Sequence, residues 1–64
     1  MKFKQYEMIK LDDEIEGIPI KKGETVLYLG EIPNMKGHIV FGHKEKIYWG
    51  YHIERFIKIP EDEL

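Results

Sequence analysis

Lys21-Lys22-Gly23-Glu24-Thr25-Val26-Leu27-Tyr28-Leu29, residues 21–29, sets a chain reversal directly against a strand. Gly23 accepts the positive φ that a reversal needs, so Lys21 to Glu24 reads as a turn. Thr25 to Leu29 is the most strand-like run of the chain. Upstream, Asp12 to Ile20 is an acidic loop with apolar pins at Ile15, Ile18 and Ile20, and Gly17 and Pro19 argue against a helix there. Before it, Gln5 to Leu11 nearly alternates apolar with polar residues, as a half-buried strand does.

Downstream, Gly30 to Gly37 is a second loop in which Pro33-Asn34 starts a turn. His38 to Phe41 is a third strand, and Gly42 to Glu45 a hairpin connection into a fourth, Lys46 to Tyr51. Strict alternation in that strand puts Ile47, Trp49 and Tyr51 on one face and Lys46, Tyr48 and Gly50 on the other. His52 to Arg55 suits one 3₁₀ turn, and Phe56 to Ile59 is a closing strand stopped by Pro60. Five short strands in a flat sheet would leave two open edges, so closure into a small barrel is expected, with residues 1–60 as one domain and 61–64 as an acidic tail.

Composition agrees. The 64 residues contain ten Ile, one Thr, and no Ala, Ser or Cys. Ile fits a pleated surface, whereas Ala is the best helix former, so the chain leans to strands. A chain this short buries only about 60% of its unfolded surface, and without cysteine no disulfide or thiolate cage reinforces it. No signal peptide or membrane-spanning run is evident, which makes the cytoplasm the expected location. The net charge is −2, with nine Lys and a single Arg, Arg55. Nucleic-acid binders carry a basic surplus and favour Arg, so a protein partner is the expectation.

Ile20-Lys21-Lys22-Gly23-Glu24 followed by Val26-Leu27 resembles the stretch of SH3 domains that leaves the first long loop and enters the second strand. Gly50-Tyr51-His52-Ile53-Glu54-Arg55-Phe56-Ile57-Lys58-Ile59 is similar to the SH3 ending, where a Gly-aromatic pair precedes a 3₁₀ turn, an aromatic residue and a last strand. The resemblance implies an SH3-like barrel, a type also found among small bacterial and phage proteins. The aromatic residues of a peptide-binding SH3 groove are largely missing. Met8-Ile9-Lys10-Leu11 replaces the aromatic first segment, His38-Ile39 stands where a Trp opens the third strand, and Ile53 replaces a Pro. Phe56 keeps an aromatic at a groove position, so the resemblance carries the barrel and not proline-rich peptide recognition.

Catalytic inventory is sparse. There is no Cys or Ser, Thr25 lies within a strand beside no evident base, and Asp12-Asp13-Glu14 share one exposed loop. No enzyme activity and no cofactor is expected. His38, His43 and His52 match no short metal motif, and His43 is placed at the hairpin tip. A metal site would require His38 and His52 to meet at one end with Glu54.

Alternation sends Tyr48 and Trp49 to opposite faces. The expectation is Trp49 in the core and Tyr48 half-exposed; the alternative is an outward aromatic beside Arg55 or Phe56. Ile32 and Met35 are large apolar residues in a loop that would ordinarily be polar. The sequence therefore points to an all-β, five-stranded SH3-like barrel with one 3₁₀ turn before the last strand. Its expected role is binding a protein, with homodimerisation through an open edge as one form. The expected contact residues are Tyr28, Ile32, Met35, Tyr48, Arg55 and Phe56, with Asp12, Asp13 and Glu14 steering by charge. The competing reading is a barrel that stacks single-stranded nucleic acid on its aromatic residues.

Overall fold

The computed structural model describes residues 2–64. Among them lie five strands: β1 Met8–Leu11, β2 Thr25–Glu31, β3 His38–His43, β4 Lys46–His52 and β5 Phe56–Lys58. A 3₁₀ turn at Ile53–Arg55 separates β4 from β5. The protein is all-β, and its strands form one antiparallel sheet in the order β4-β3-β2-β1-β5.

The turns follow their residues. Glu24 donates its backbone N–H to the Lys21 carbonyl at 3.0 Å, with Gly23 at φ 96°. The Met35 N–H reaches the Ile32 carbonyl at 3.2 Å across Pro33-Asn34, with Asn34 at φ 68°. A rigid Pro followed by a residue that tolerates the left-handed region is the signature of a type II turn.

One expectation about the architecture gives way. The sheet is not closed into a barrel: β4 and β5 form its two edges and pair with β3 and β1 respectively. The 3₁₀ turn carries the chain to the opposite edge of the sheet, where Leu11 pairs with Phe56 and Ile9 with Lys58. Beyond β5, Glu61–Glu63 forms a further 3₁₀ turn and Glu63 forms an ion pair with Lys10.

Phe3, Ile9, Leu11, Ile20, Val26, Tyr28, Ile39, Phe41 and Phe56 form the core. The acidic loop closes over it with Ile15 and Ile18, as apolar pins should. Phe41 sits at the centre of an aromatic group, with ring centroids 5.2 Å from Tyr48, 5.6 Å from Tyr51 and 5.0 Å from Phe56. Burial of each such side chain contributes about 1.5–3 kcal/mol.

Tyr28 is the exception within this core. Its ring packs edge-on against Phe3 at 5.5 Å, yet its hydroxyl is buried and finds no protein hydrogen-bond partner. Burial, with Glu31 nearby, also pushes its pKa above the usual tyrosine value. An unpaired buried hydroxyl costs about 1–3 kcal/mol, so Tyr28→Phe is expected to stabilise the fold by about 1 kcal/mol. A raised urea midpoint checks this; a lowered one would show that the hydroxyl is satisfied in solution.

Candidate functional site

β4 reverses the expected faces at its centre. Tyr48 points inward and stacks on Phe41 with the planes 13° apart, while Trp49 is 67% exposed. Trp49 therefore lies outside, and Tyr48 takes the core-side position. The expected grouping of Ile47, Trp49 and Tyr51 fails for one reason. The β3–β4 register shifts between Ile39 and Val40, with Val40 opposite Trp49 and Ile39 opposite Tyr51, so Gly50 is an extra residue at φ 87°. Such a bulge resets the alternation. Ile47 and Trp49 stay outward, and Tyr51 turns in to meet Phe41.

The face opposite the core is apolar. Met8, Leu27, Gly42 and Ile47 stand directly opposite one another, one from each of β1 to β4. Val40 and Trp49 form the neighbouring pair. Leu29 lies between the two rows, its Cδ1 3.8 Å from where a side chain on Gly42 would begin. Ile47 is 60% and Met8 46% exposed, and Leu27, Leu29 and Val40 are half-buried. The His38–His52 pair stands at one end of this face, and Lys10, paired with Thr25 and Ile57, at the other. An antiparallel sheet with one solvated face ordinarily carries polar residues there. A contiguous apolar patch rimmed by polar groups marks a contact surface.

The expected contact residues do not gather into one patch. Tyr28 and Phe56 are fully buried in the core, where alternation places them, and present no surface to a partner. Tyr48 is half-buried and lines a groove with Pro19, His43 and Lys44–Lys46. Asp12, Asp13 and Glu14 are exposed. Asp13 and Arg55 form an ion pair at 3.4 Å, and the Asp12 N–H donates to the Arg55 carbonyl at 2.8 Å. These contacts tie the acidic loop to the 3₁₀ turn. Ile32 and Met35 lie in the second loop, with Met35 45% exposed and Ile32 half-buried.

Sequence reasoning missed Met8, Leu27, Leu29, Val40, Ile47 and Trp49 as one surface. The signal was present in Val26-Leu27-Tyr28-Leu29, Ile39-Val40-Phe41 and Ile47-Tyr48-Trp49. Apolar residues at consecutive strand positions mean apolar residues on both faces.

The histidines also move from their expected places. His43 is not at the hairpin tip but ends β3 beside the Lys44-Glu45 turn, facing inward, 8% exposed, with Nε2 3.4 Å from Glu24 Oε1. Glu24 accepts the Lys21 backbone N–H, which with His43 holds its carboxyl below the usual range. The Lys4 backbone N–H and Lys58 do the same for Glu7. His38 and His52 do meet, with ring centroids 5.3 Å apart. His52 Nδ1, however, accepts the Glu54 backbone N–H at 3.1 Å and caps the 3₁₀ turn. Its neutral ring then carries the proton on Nε2 and has no lone pair left for a metal. The Glu54 carboxylate pairs with Lys2 at 3.3 Å. Among the described residues, no group of three or more His, Asp or Glu converges on a metal position.

No helix among the described residues is long and apolar enough to cross a membrane. Comparison with protein-family models, with curated proteins and with solved structures finds no match.

Proposed function

We propose that this chain is a non-enzymatic protein-binding module of SH3-like type whose contact surface is the outer sheet face. The strand order β4-β3-β2-β1-β5, with a 3₁₀ turn joining β4 to β5, supports the fold reading. The observation that carries the function is the apolar face running from Met8 through Leu27, Leu29 and Val40 to Ile47 and Trp49. Trp is the residue most enriched at the energetic centre of interfaces, and this one stands two-thirds exposed among aliphatic neighbours. No charged side chain lies within the patch, so phosphate recognition has nothing to rest on there. Asp13 and Arg55 are occupied with each other, which leaves the acidic loop a supporting role.

The test uses immobilised wild-type chain and Trp49→Lys, exposed to cell lysate and, separately, to added copies of the chain itself. Protein retained by the wild type and lost at least tenfold by Trp49→Lys is the expected result. Equal retention by both would overturn the outer-face reading. A single-stranded oligonucleotide shifted at low salt and released by added salt would favour the nucleic-acid alternative instead.

A further inference from the structure

The two edges of the sheet are guarded differently. β5 has three residues, ends on Lys58 and is followed closely by Pro60. Short length, lysine and proline are the usual devices that prevent a strand from pairing with another chain. β4 has seven residues, and Ile47 to Tyr51 at its centre contains no charge and no proline. Its protection is the Gly50 bulge, which leaves Lys46 to Trp49 straight.

The free groups on that edge follow from the ladder. His43 and Lys46 flank the Lys44-Glu45 turn and form the hydrogen-bonded pair that closes a two-residue hairpin. Bonded and non-bonded pairs then alternate, so Phe41–Tyr48 is bonded, while Gly42–Ile47 and Val40–Trp49 are not. The backbone N–H and C=O of Ile47 and Trp49 therefore point away from β3, into the open edge. These are the same residues whose side chains stand exposed on the outer face.

We infer that the occupant of this edge is a second copy of the chain, paired β4 to β4 in antiparallel fashion about a two-fold axis at Tyr48; this rests on the outer face being a protein-binding surface. In this register Ile47 of one copy faces Trp49 of the other twice over. Both residues then exchange their free backbone hydrogen bonds, and their side chains meet on the apolar face. The charges fit as well: Lys46, the one charged residue of the paired segment, falls opposite Gly50, so no lysine faces a lysine. Like charges directly opposite would oppose pairing. An axis at Ile47 would instead put Trp49 against Glu45 of the turn, and one at Trp49 would set the bulged Gly50 against Tyr48, beside the axis instead of at the ends of the ladder.

Sedimentation velocity from micromolar to millimolar concentration tests this on three chains: wild type, Trp49→Lys and Ile47→Pro. Ile47→Pro removes an outward N–H and spares the bonds to β3, and circular dichroism confirms that each variant is folded. Expected are a wild-type monomer–dimer equilibrium, a blue shift of Trp49 emission over the same range, and at least tenfold weaker association for both variants. A wild type monomeric throughout overturns the second-copy inference, while retention of a different protein in the capture experiment would still uphold the outer face. A dimer lost in Trp49→Lys but kept in Ile47→Pro overturns edge pairing in favour of stacked faces. A dimer indifferent to both changes overturns the inference and its surface together.

Discussion

Phe41→Ala is expected to leave the chain largely unfolded at room temperature. The Phe41 ring is fully buried and lies within 5.6 Å, centroid to centroid, of Tyr48, Tyr51 and Phe56, which bring β3, β4 and β5 together. Truncating a core Phe to Ala costs about 3–5 kcal/mol, and a single small core supplies only about that much net stability. The aromatic geometry adds about 0.5–1.5 kcal/mol for each pair lost. Phe41→Leu keeps most of the volume and is expected to cost less than half as much. Far-ultraviolet circular dichroism with urea titration separates the two. Survival of Phe41→Ala with a midpoint close to wild type would mean that the aromatic group does not organise the core.

Gly50 carries the second large effect, because its conformation decides which way Trp49 and Tyr51 point. It sits at φ 87°, and a side chain added there would meet nothing within 4 Å. The cost of an L-residue is therefore conformational and not steric, about 1–2 kcal/mol for Gly50→Ala and more for a β-branched residue. A D-residue prefers that same region. Gly50→D-Ala, accessible by chemical synthesis at this length, is expected to stabilise the fold by about 0.4–1 kcal/mol through the unfolded chain. The opposite signs of the two enantiomers are the signature of the bulge, read as thermal or urea midpoints. Gly37 offers a contrast, since an L-residue's Cβ would lie 2.9 Å from His52 Nε2 and a steric cost adds to the conformational one there.

Much of the architecture was legible in the residues. Gly23 and Pro33-Asn34 announced their turns, Ile15, Ile18 and Ile20 pinned the first loop, and each strand was found within a few residues of its observed ends. Local chemistry fixes such features within a turn's length. Closure and facing are different, because they depend on pairing between distant segments. A chain heading for the far edge after Arg55 reads the same as one closing a barrel. A bulge at Gly50 leaves no mark but a glycine, and one extra residue turns every later side chain over. That is why strict alternation groups Tyr51 with Trp49. The aromatic rings of Tyr28 and Phe56 suggest contacts, although Val26-Tyr28 and Ile39-Phe41 already share the inward period. The same consecutive apolar positions that obscured the facing carry the outer patch.

Trp49 is the single tryptophan of the chain, so its fluorescence reports the facing of β4 without ambiguity. The most direct measurement is its emission and its quenching by acrylamide in dilute, folded wild-type protein. An outward Trp49 gives the red-shifted emission of a water-exposed indole and quenches nearly as fast as the urea-unfolded chain. Blue-shifted emission that resists acrylamide in a protein shown to be monomeric would put Trp49 in the core and contradict the outer face.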